Sequence, residues 1–268
     1  MNCKWPVWNL VLLLTLSVAA QEGEEKPSNW HVAGSLVYSS RALDGSVVSK
    51  NSISEGVFGT LVATGDSMNV GEANGLMLAL AVQYKRFGIG LNYMPTSFQG
   101  SGFALAEVGT AGGGAFIKTP LETDIDIEML LANVYYNFIQ TSNSVFGVGA
   151  GLGRTEIDFS MVPGTGNALV YEGVQPFGFL NLHMRNQYKK FIYGFVLNGL
   201  SMEFEGANIV YSDYKVDLGY RLVDKRVKLD LVGGYRMVNF AIDLAGQSSE
   251  IAVDVTLEGP FLGVNMLY

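Results

Sequence analysis

The feature of this sequence that most constrains its fold is a series of segments, each about ten residues long, in which apolar and polar residues alternate. In segment 209–222, Val216 and Leu218 share one parity, whereas Asp217 and Arg221 share the other. A period of two is the pattern of a β-strand whose two faces meet different surroundings. Ten segments of this kind, separated by turn signals, cover residues 30–43, 74–85, 87–94, 124–138, 145–159, 173–185, 191–204, 209–222, 227–242 and 251–268.

The composition of the two faces indicates which surroundings they meet. Apolar residues make up 49% of the chain and charged residues only 16%, whereas soluble domains contain about 25% charged residues. The polar faces carry mainly Gly, Ala, Asn and Ser, which suit a crowded barrel interior, so we expect the apolar faces to contact lipid. After the first twenty residues, no apolar run reaches the roughly 18 residues of a membrane-spanning helix. The net charge of −8 argues against a nucleic-acid partner.

The first twenty residues are expected to be a signal peptide that is cleaved after export. Lys4 supplies a positive start, residues 10–16 form an apolar run, and residues 18–20 are the small residues of a cleavage site. Residues 21–29 would then be a short periplasmic lead to a single domain at 30–268. The only cysteine, Cys3, lies in the cleaved part, so the exported chain would contain no disulfide.

The last segment of the chain carries a terminal motif. Gly263, Met266 and the final residue Tyr268 have the spacing of a glycine, a hydrophobic residue and a terminal aromatic. In this motif the sequence resembles bacterial outer-membrane β-barrel proteins, whose last strand is recognised by the barrel-assembly machinery. The resemblance implies an all-β, transmembrane, antiparallel up-and-down barrel of about ten strands in the outer membrane of a Gram-negative-type bacterium. Its partners would be the lipid bilayer and the assembly machinery.

The connections between segments alternate between short and long, which predicts short periplasmic turns and long extracellular loops. Aromatic residues cluster beside the short turns and predict a girdle at the periplasmic interface. The long connections 44–73 and 95–123 contain apolar runs at 57–62 and 103–108, which would form a lid, a short hairpin or an apolar site. Parity slips near 129–130, 154–155 and 259–260 indicate either β-bulges or the points where strands leave the bilayer.

Catalytic chemistry is not expected of this chain. The ten-strand count resembles that of the omptin proteases, whose site pairs acidic residues with a histidine at the extracellular rim. Both histidines here, His31 and His183, map to the periplasmic end, and His183 is expected to be a satisfied lumen residue. Nucleotide-loop, zinc-protease and nucleophile-elbow motifs are absent, so no cofactor or resident metal is expected. Acidic residues near the extracellular side predict a solvated rim, with a calcium site as the weaker alternative.

The residues expected to face the lumen include a group of charges on two neighbouring strands that share a short turn. They form either a structural plug or a constriction that selects small solutes, and they are Asp213, Lys215, Asp217, Arg221, Lys228, Asp230 and Arg236. Glycines at every second position of another strand would leave one wall bare, and they are Gly147, Gly149, Gly151 and Gly153. That space either admits solute or is filled by Asn133, Tyr135 or Asn137.

Three functions remain open at this point. The expected function is a narrow passive pore for small solutes, which the glycine wall and the charged lumen favour over the two alternatives. A closed barrel that anchors surface loops, for adhesion or envelope structure, is favoured by the long connections. A conduit for an apolar ligand is a weaker third, because it depends on the apolar loop runs and on an inward wall of Met77, Ala79 and Ala81.

Overall fold

The computed structural model describes residues 29–54, 57–64, 69–110, 113–163, 169–204, 207–245 and 249–268. Strands fill these ranges: Trp30–Ser54 (β1), Val57–Thr64 (β2), Ala73–Tyr84 (β3), Phe87–Thr110 (β4), Gly113–Gln140 (β5), Ser144–Pro163 (β6), Leu169–Tyr188 (β7), Phe191–Phe204 (β8), Ala207–Asp224 (β9), Lys228–Ala245 (β10) and Ser249–Leu267 (β11). Within them, no helix is long and apolar enough to cross a membrane. The predicted signal peptide at 1–20 and nearly all of the lead at 21–29 lie outside the described residues.

The strands form a closed antiparallel barrel with ten strand positions. β3 pairs with the start of β1, from Trp30↔Tyr84 to Arg41↔Ala73, and β2 pairs with its end. β2 and β3 therefore occupy successive stretches of one position, between β1 and β4. β11 pairs with both β10 and β1, which closes the ring. In the part of the barrel that contains the short turns the ring is continuous, so backbone amides there are paired between strands. The predicted ten-stranded up-and-down barrel is confirmed.

The outer surface of the part of the barrel that contains the short turns is an apolar band. Phe87, Leu152 and Leu218 point outward and are 65%, 73% and 69% exposed. Such a continuous apolar surface is unfavourable in water and matches the hydrocarbon of a bilayer. Aromatic pairs lie beside the short turns, where the girdle was predicted: Trp30–Tyr84 at 4.7 Å, Phe87–Tyr136 at 4.9 Å, Phe138–Phe146 at 4.7 Å and Phe191–Tyr220 at 5.5 Å between ring centroids.

The long connections differ from the expectation because much of their length is strand. β4 and β5 stay paired from Phe87↔Tyr136 to Thr110↔Gly113, so most of 95–123 extends the barrel wall. The run at 57–62 belongs to β2, which forms a hairpin with β1. Of the three alternatives for that run, the hairpin is therefore the one found.

The strands reverse the polarity of their two faces partway along their length, without a change of register. Met129 pairs with Thr155 and Leu130 with Arg154 in an unbroken ladder. The β-bulge interpretation of the parity slips at 129–130 and 154–155 is therefore wrong, as it is at 259–260, where Gly259 pairs with Arg236 in register. On the side of this level that contains the short turns, the outside of the barrel is apolar. On the other side, the outside of β5 is acidic and its inside is apolar. We call the first part the periplasmic half and the second part the extracellular half.

Candidate functional site

The extracellular half of the lumen is filled by apolar side chains. The Phe177 ring packs at 4.6 Å from Tyr211 and at 5.6 Å from Phe240, measured between ring centroids, and Phe179 lies 5.9 Å from Tyr211. These rings belong to one buried cluster that receives residues from most strand positions, including Met94, Phe98, Ile125, Ile127, Met129, Ile157, Phe159, Ile209, Val238, Ile242, Val255 and Leu257. Dense packing of this kind leaves little room for solute.

The predicted glycine wall does face inward, but other side chains cover it. A Cβ added to Gly147 would meet Asn137 and His183, and one added to Gly149 would meet Tyr135. A Cβ at Gly151 would meet Phe179, and one at Gly153 would meet Phe177. Of the two alternatives for the space beside these glycines, filling by side chains is therefore the one found. Asn137 and Tyr135 were among the predicted occupants, whereas Phe177, Phe179 and His183 were not, although they share one parity of β7.

Asp213 and Arg236 form the central ion pair of the lumen. Arg236 donates from Nε to Asp213 Oδ1 and from Nη2 to Oδ2, both at 2.8 Å. Asn198 Nδ2 donates to the same Oδ2 at 2.8 Å, and the Tyr211 hydroxyl at 3.2 Å. The carboxylate is 1% exposed. Its charge is thus compensated by a cation and by two further donors, as a buried charge requires.

The other predicted lumen charges do not form a single ring. Arg221 donates to Asp230 at 2.8 Å close to the periplasmic turn, and Arg185 from β7 reaches the same carboxylate. Lys215 lies 3.7 Å from Asp217 between the two clusters. The remaining member is Lys228, which lies exposed at the start of β10, opposite Asp224. The structure therefore brings together six of the seven residues in separate pairs, and sequence reasoning missed Arg185.

A cavity of about 390 Å³ lies in the periplasmic half of the lumen. One wall is small and apolar and comes from β1 and β3, including Ala33, Val37, Met77, Ala79 and Ala81. The facing wall is polar and carries Asp213, Lys215, Asp217, Arg236, Asn181 and Asn198. The cavity extends to Gln83 and Asn137 near the periplasmic turns, and its lining reaches Phe179 of the apolar cluster at the other end.

The outer surface of the extracellular half is acidic on β5, β6 and β7. Asp126 pairs with Asp158, and Asp158 pairs with Glu172, so like charges stand directly opposite one another. The pKa of the Asp158 carboxyl is raised, mainly because the carboxyl loses contact with water. The negative charges of four neighbours raise it further, and they are Glu156, Glu172, Asp126 and Glu128. Among the residues described, no three acidic or histidine side chains converge as metal ligands would.

The C-terminal motif completes the closing seam of the barrel. Gly263 pairs with Val37 and Met266 with Gly34, and the backbone of Tyr268 exchanges hydrogen bonds with Val32 at 2.8 and 3.0 Å. Arg226 donates to the Tyr268 hydroxyl and lies 5.1 Å from its ring centroid. The motif therefore lies on the strand that joins the two ends of the chain.

The closed antiparallel wall, the apolar band and the aromatic girdle define an outer-membrane β-barrel of the bacterial type. The outer membrane protease OmpT from Escherichia coli has a similar structure, with a TM-score of 0.51 and 12% sequence identity over 89% of this chain and 97% of that chain. At this identity the likeness extends to the fold alone. A Pseudomonas aeruginosa FadL homologue (TM-score 0.34, 8% identity, covering 89% of this chain and 90% of that one) and Neisserial surface protein A (TM-score 0.29, 13% identity, covering 90% and 98%) are more distant. No protein-family model and no curated protein matches the sequence.

Proposed function

We propose that this protein is a closed barrel of the outer membrane that presents its extracellular half as a rigid surface structure, with a role in adhesion or in the envelope. The observation that carries the proposal is the apolar cluster around Phe177, Tyr211 and Phe240, which fills the lumen above the cavity. A water-filled path would have to cross this cluster, and apolar constrictions exclude water and ions.

The outer face of the same half supports a role at the cell surface. β4 and β5 carry the wall well beyond the apolar band, and their exposed side chains there include the polar or acidic Ser97, Gln99, Ser101, Glu122, Asp124 and Asp126. A stiff, charged extension is suited to contact a partner in the aqueous phase. The partner's chemistry would include positive charge, because Asp126, Asp158 and Glu172 lie side by side on this face.

The test is the single-channel conductance of the folded chain in a planar bilayer. We expect no resolved steps from the wild type, and steps from the double variant F177A/F240A, which removes two rings from the cluster. The matched control is F87A/F191A, because both of these phenylalanines face lipid and are more than half exposed. Conductance steps in the wild type would overturn the closed barrel.

A narrow pore is the second candidate, and the polar cavity between β3 and β9 favours it. If the wild type conducts, Arg236→Ala and Arg221→Ala should each raise the conductance where these side chains narrow the passage. The acidic outer surface would then favour cations over anions. Conductance that neither substitution changes would count against a charged constriction.

A protease role is not proposed, although OmpT is named an outer membrane protease. His31 pairs with Gln83 beside a periplasmic turn, and His183 lies above Gly147 in the periplasmic half. A histidine-dependent site at the extracellular rim therefore has no candidate, since the sequence contains two histidines. Incubating the folded protein with a peptide library would test this, and specific cleavage would contradict the proposal.

A further inference from the structure

We infer that His183 is a proton-binding site of the lumen, and that its second ring proton completes a chain of side-chain hydrogen bonds across the periplasmic half of the barrel. The inference rests on which atoms donate and which accept along this chain. It is independent of whether the barrel conducts.

The periplasmic arm of the chain begins at a backbone carbonyl. Gln83 donates from Nε2 to the Lys85 carbonyl at 2.5 Å. Its Oε1 accepts from Asn137 Nδ2 at 3.2 Å, and Asn137 Oδ1 lies 2.8 Å from His183 Nε2. A carbonyl oxygen can only accept, so the Gln83 amide nitrogen must face Lys85. That orientation leaves the Asn137 oxygen facing the ring.

The inner arm ends at the central ion pair. His183 Nδ1 lies 2.8 Å from Asn181 Oδ1, and Asn181 Nδ2 donates to Asn198 Oδ1 at 2.6 Å. Asn198 Nδ2 donates in turn to Asp213 Oδ2 at 2.8 Å. Asp213 also accepts two hydrogen bonds from Arg236, which fixes it as a carboxylate. It can only accept, so the Asn181 oxygen must face the ring as well.

His183 therefore faces an oxygen at each ring nitrogen, between two arms that both end on acceptors. Each amide contributes one donor and one acceptor, so turning any of them places oxygen against oxygen elsewhere in its arm. A neutral imidazole has one donor and one acceptor, whereas the imidazolium has two donors. Only the protonated ring satisfies every link, and loss of one proton opens the chain at Asn137 or at Asn181.

The surroundings of the His183 ring include groups that oppose its positive charge and groups that favour it. Burial opposes a charged ring because it removes water. The charged side chains on the polar wall of the lumen are Arg185 on the same strand, Lys215, Asp217, Asp213 and Arg221 on β9, and Asp230 and Arg236 on β10. From β5, the Tyr135 ring contacts His183 edge to face at 5.1 Å. From β6, Gly147 provides the space in which the ring lies.

The experiment is a pH titration of the histidine rings by NMR, on the full chain folded in detergent micelles. The sequence has two histidines, so selective ¹⁵N labelling gives two rings, and H31Q assigns them. We expect both His183 nitrogens to be protonated at the acidic end of the titration. The Gln83→Leu variant should move the His183 midpoint down by about one pH unit, a tenfold loss of proton affinity, because Asn137 is then free to turn its amide toward a neutral ring.

The chain supplies a matched control for this substitution. Gln187 precedes the equivalent turn and donates from Nε2 to the Lys189 carbonyl at 2.7 Å, but it has no bond to the His183 chain. Gln187→Leu should therefore leave the midpoint unchanged. If Gln83→Leu does not fold, Gln83→Glu serves instead, and it should raise the midpoint by more than Gln187→Glu does. Equal midpoints in the Gln83 and Gln187 variants, or a His183 ring that stays neutral from about pH 4 to about pH 8 in the folded barrel, would overturn the inference.

Discussion

The central ion pair of the lumen gives the sharpest test of the structure. Asp213 is 1% exposed and receives two 2.8 Å hydrogen bonds from Arg236. Asp213→Asn keeps the size of the side chain but removes its charge, so the guanidinium loses its counter-ion. Breaking a buried pair in this way costs about 3–5 kcal/mol. We expect a loss of about 3 kcal/mol, at the lower end of that range, because the Arg236 side chain borders the cavity and keeps some access to solvent.

The assay is urea-induced unfolding in detergent micelles, followed by tryptophan fluorescence. The matched control is Asp217→Asn, four residues along the same inward face, which forms a looser 3.7 Å ion pair with Lys215. The control should lose less than about 1 kcal/mol. The double variant D213N/R236Q should lose clearly less than the sum of its single substitutions. Equal losses in D213N and D217N, or additive single variants, would refute the reasoning.

Three further predictions follow from other parts of the barrel. Gly153→Ala should lose about 1–3 kcal/mol of unfolding free energy because its Cβ would collide with the Phe177 ring, whereas Gly71→Ala, with nothing within 4 Å, should be neutral in the same assay. Folding raises the pKa of Asp158, so the folded chain binds a proton more tightly there than the unfolded chain, and stability falls as pH rises through that pKa. D158N should therefore stabilise the barrel at about pH 7 but not at about pH 3, and urea midpoints at both pH values would show this. Tyr268→Ala removes the ring that Arg226 contacts, and it should lower the yield of assembled barrel, measured by heat-dependent electrophoretic mobility; an unchanged yield would argue against recognition of the terminal aromatic.

The strands of the periplasmic half could be predicted from the sequence because their alternation needs no knowledge of tertiary contacts. Segment 209–222 became Ala207–Asp224, and 191–204 became Phe191–Phe204 with no change of bounds. In the extracellular half the same reasoning failed for 95–123. There Pro95, Pro120 and paired glycines are typical of loops, and the alternation continues with its polarity reversed, so a search for one lipid-facing parity does not detect it.

The contacts of the candidate site were predictable only where strands are neighbours in sequence. Arg221 and Asp230 meet because β9 and β10 share a short turn. Arg185 lies on β7, three strand positions from β10, which carries Asp230. The contact between them therefore depends on the curvature of the wall. Phe177 and Phe179 were assigned to a strand, but no sequence pattern indicated that they would cover the glycines of β6. Side-chain reach across the lumen is a tertiary property.

The apolar cluster and the polar lumen follow from one physical requirement, that each stretch of wall has to suit both its outer and its inner surroundings. In the periplasmic half the outside is lipid, so moving an apolar side chain inward brings little hydrophobic gain, and the paired charges and amides supply the specific contacts of the interior. In the extracellular half the outside is water, so the hydrophobic effect draws apolar side chains inward at about 25 cal/mol per Å² buried. The filled upper lumen is therefore part of what folds the extracellular half. A substitution that opens it, such as F177A/F240A, should lower stability in the same step that raises conductance, and a conducting variant with unchanged stability would contradict this link.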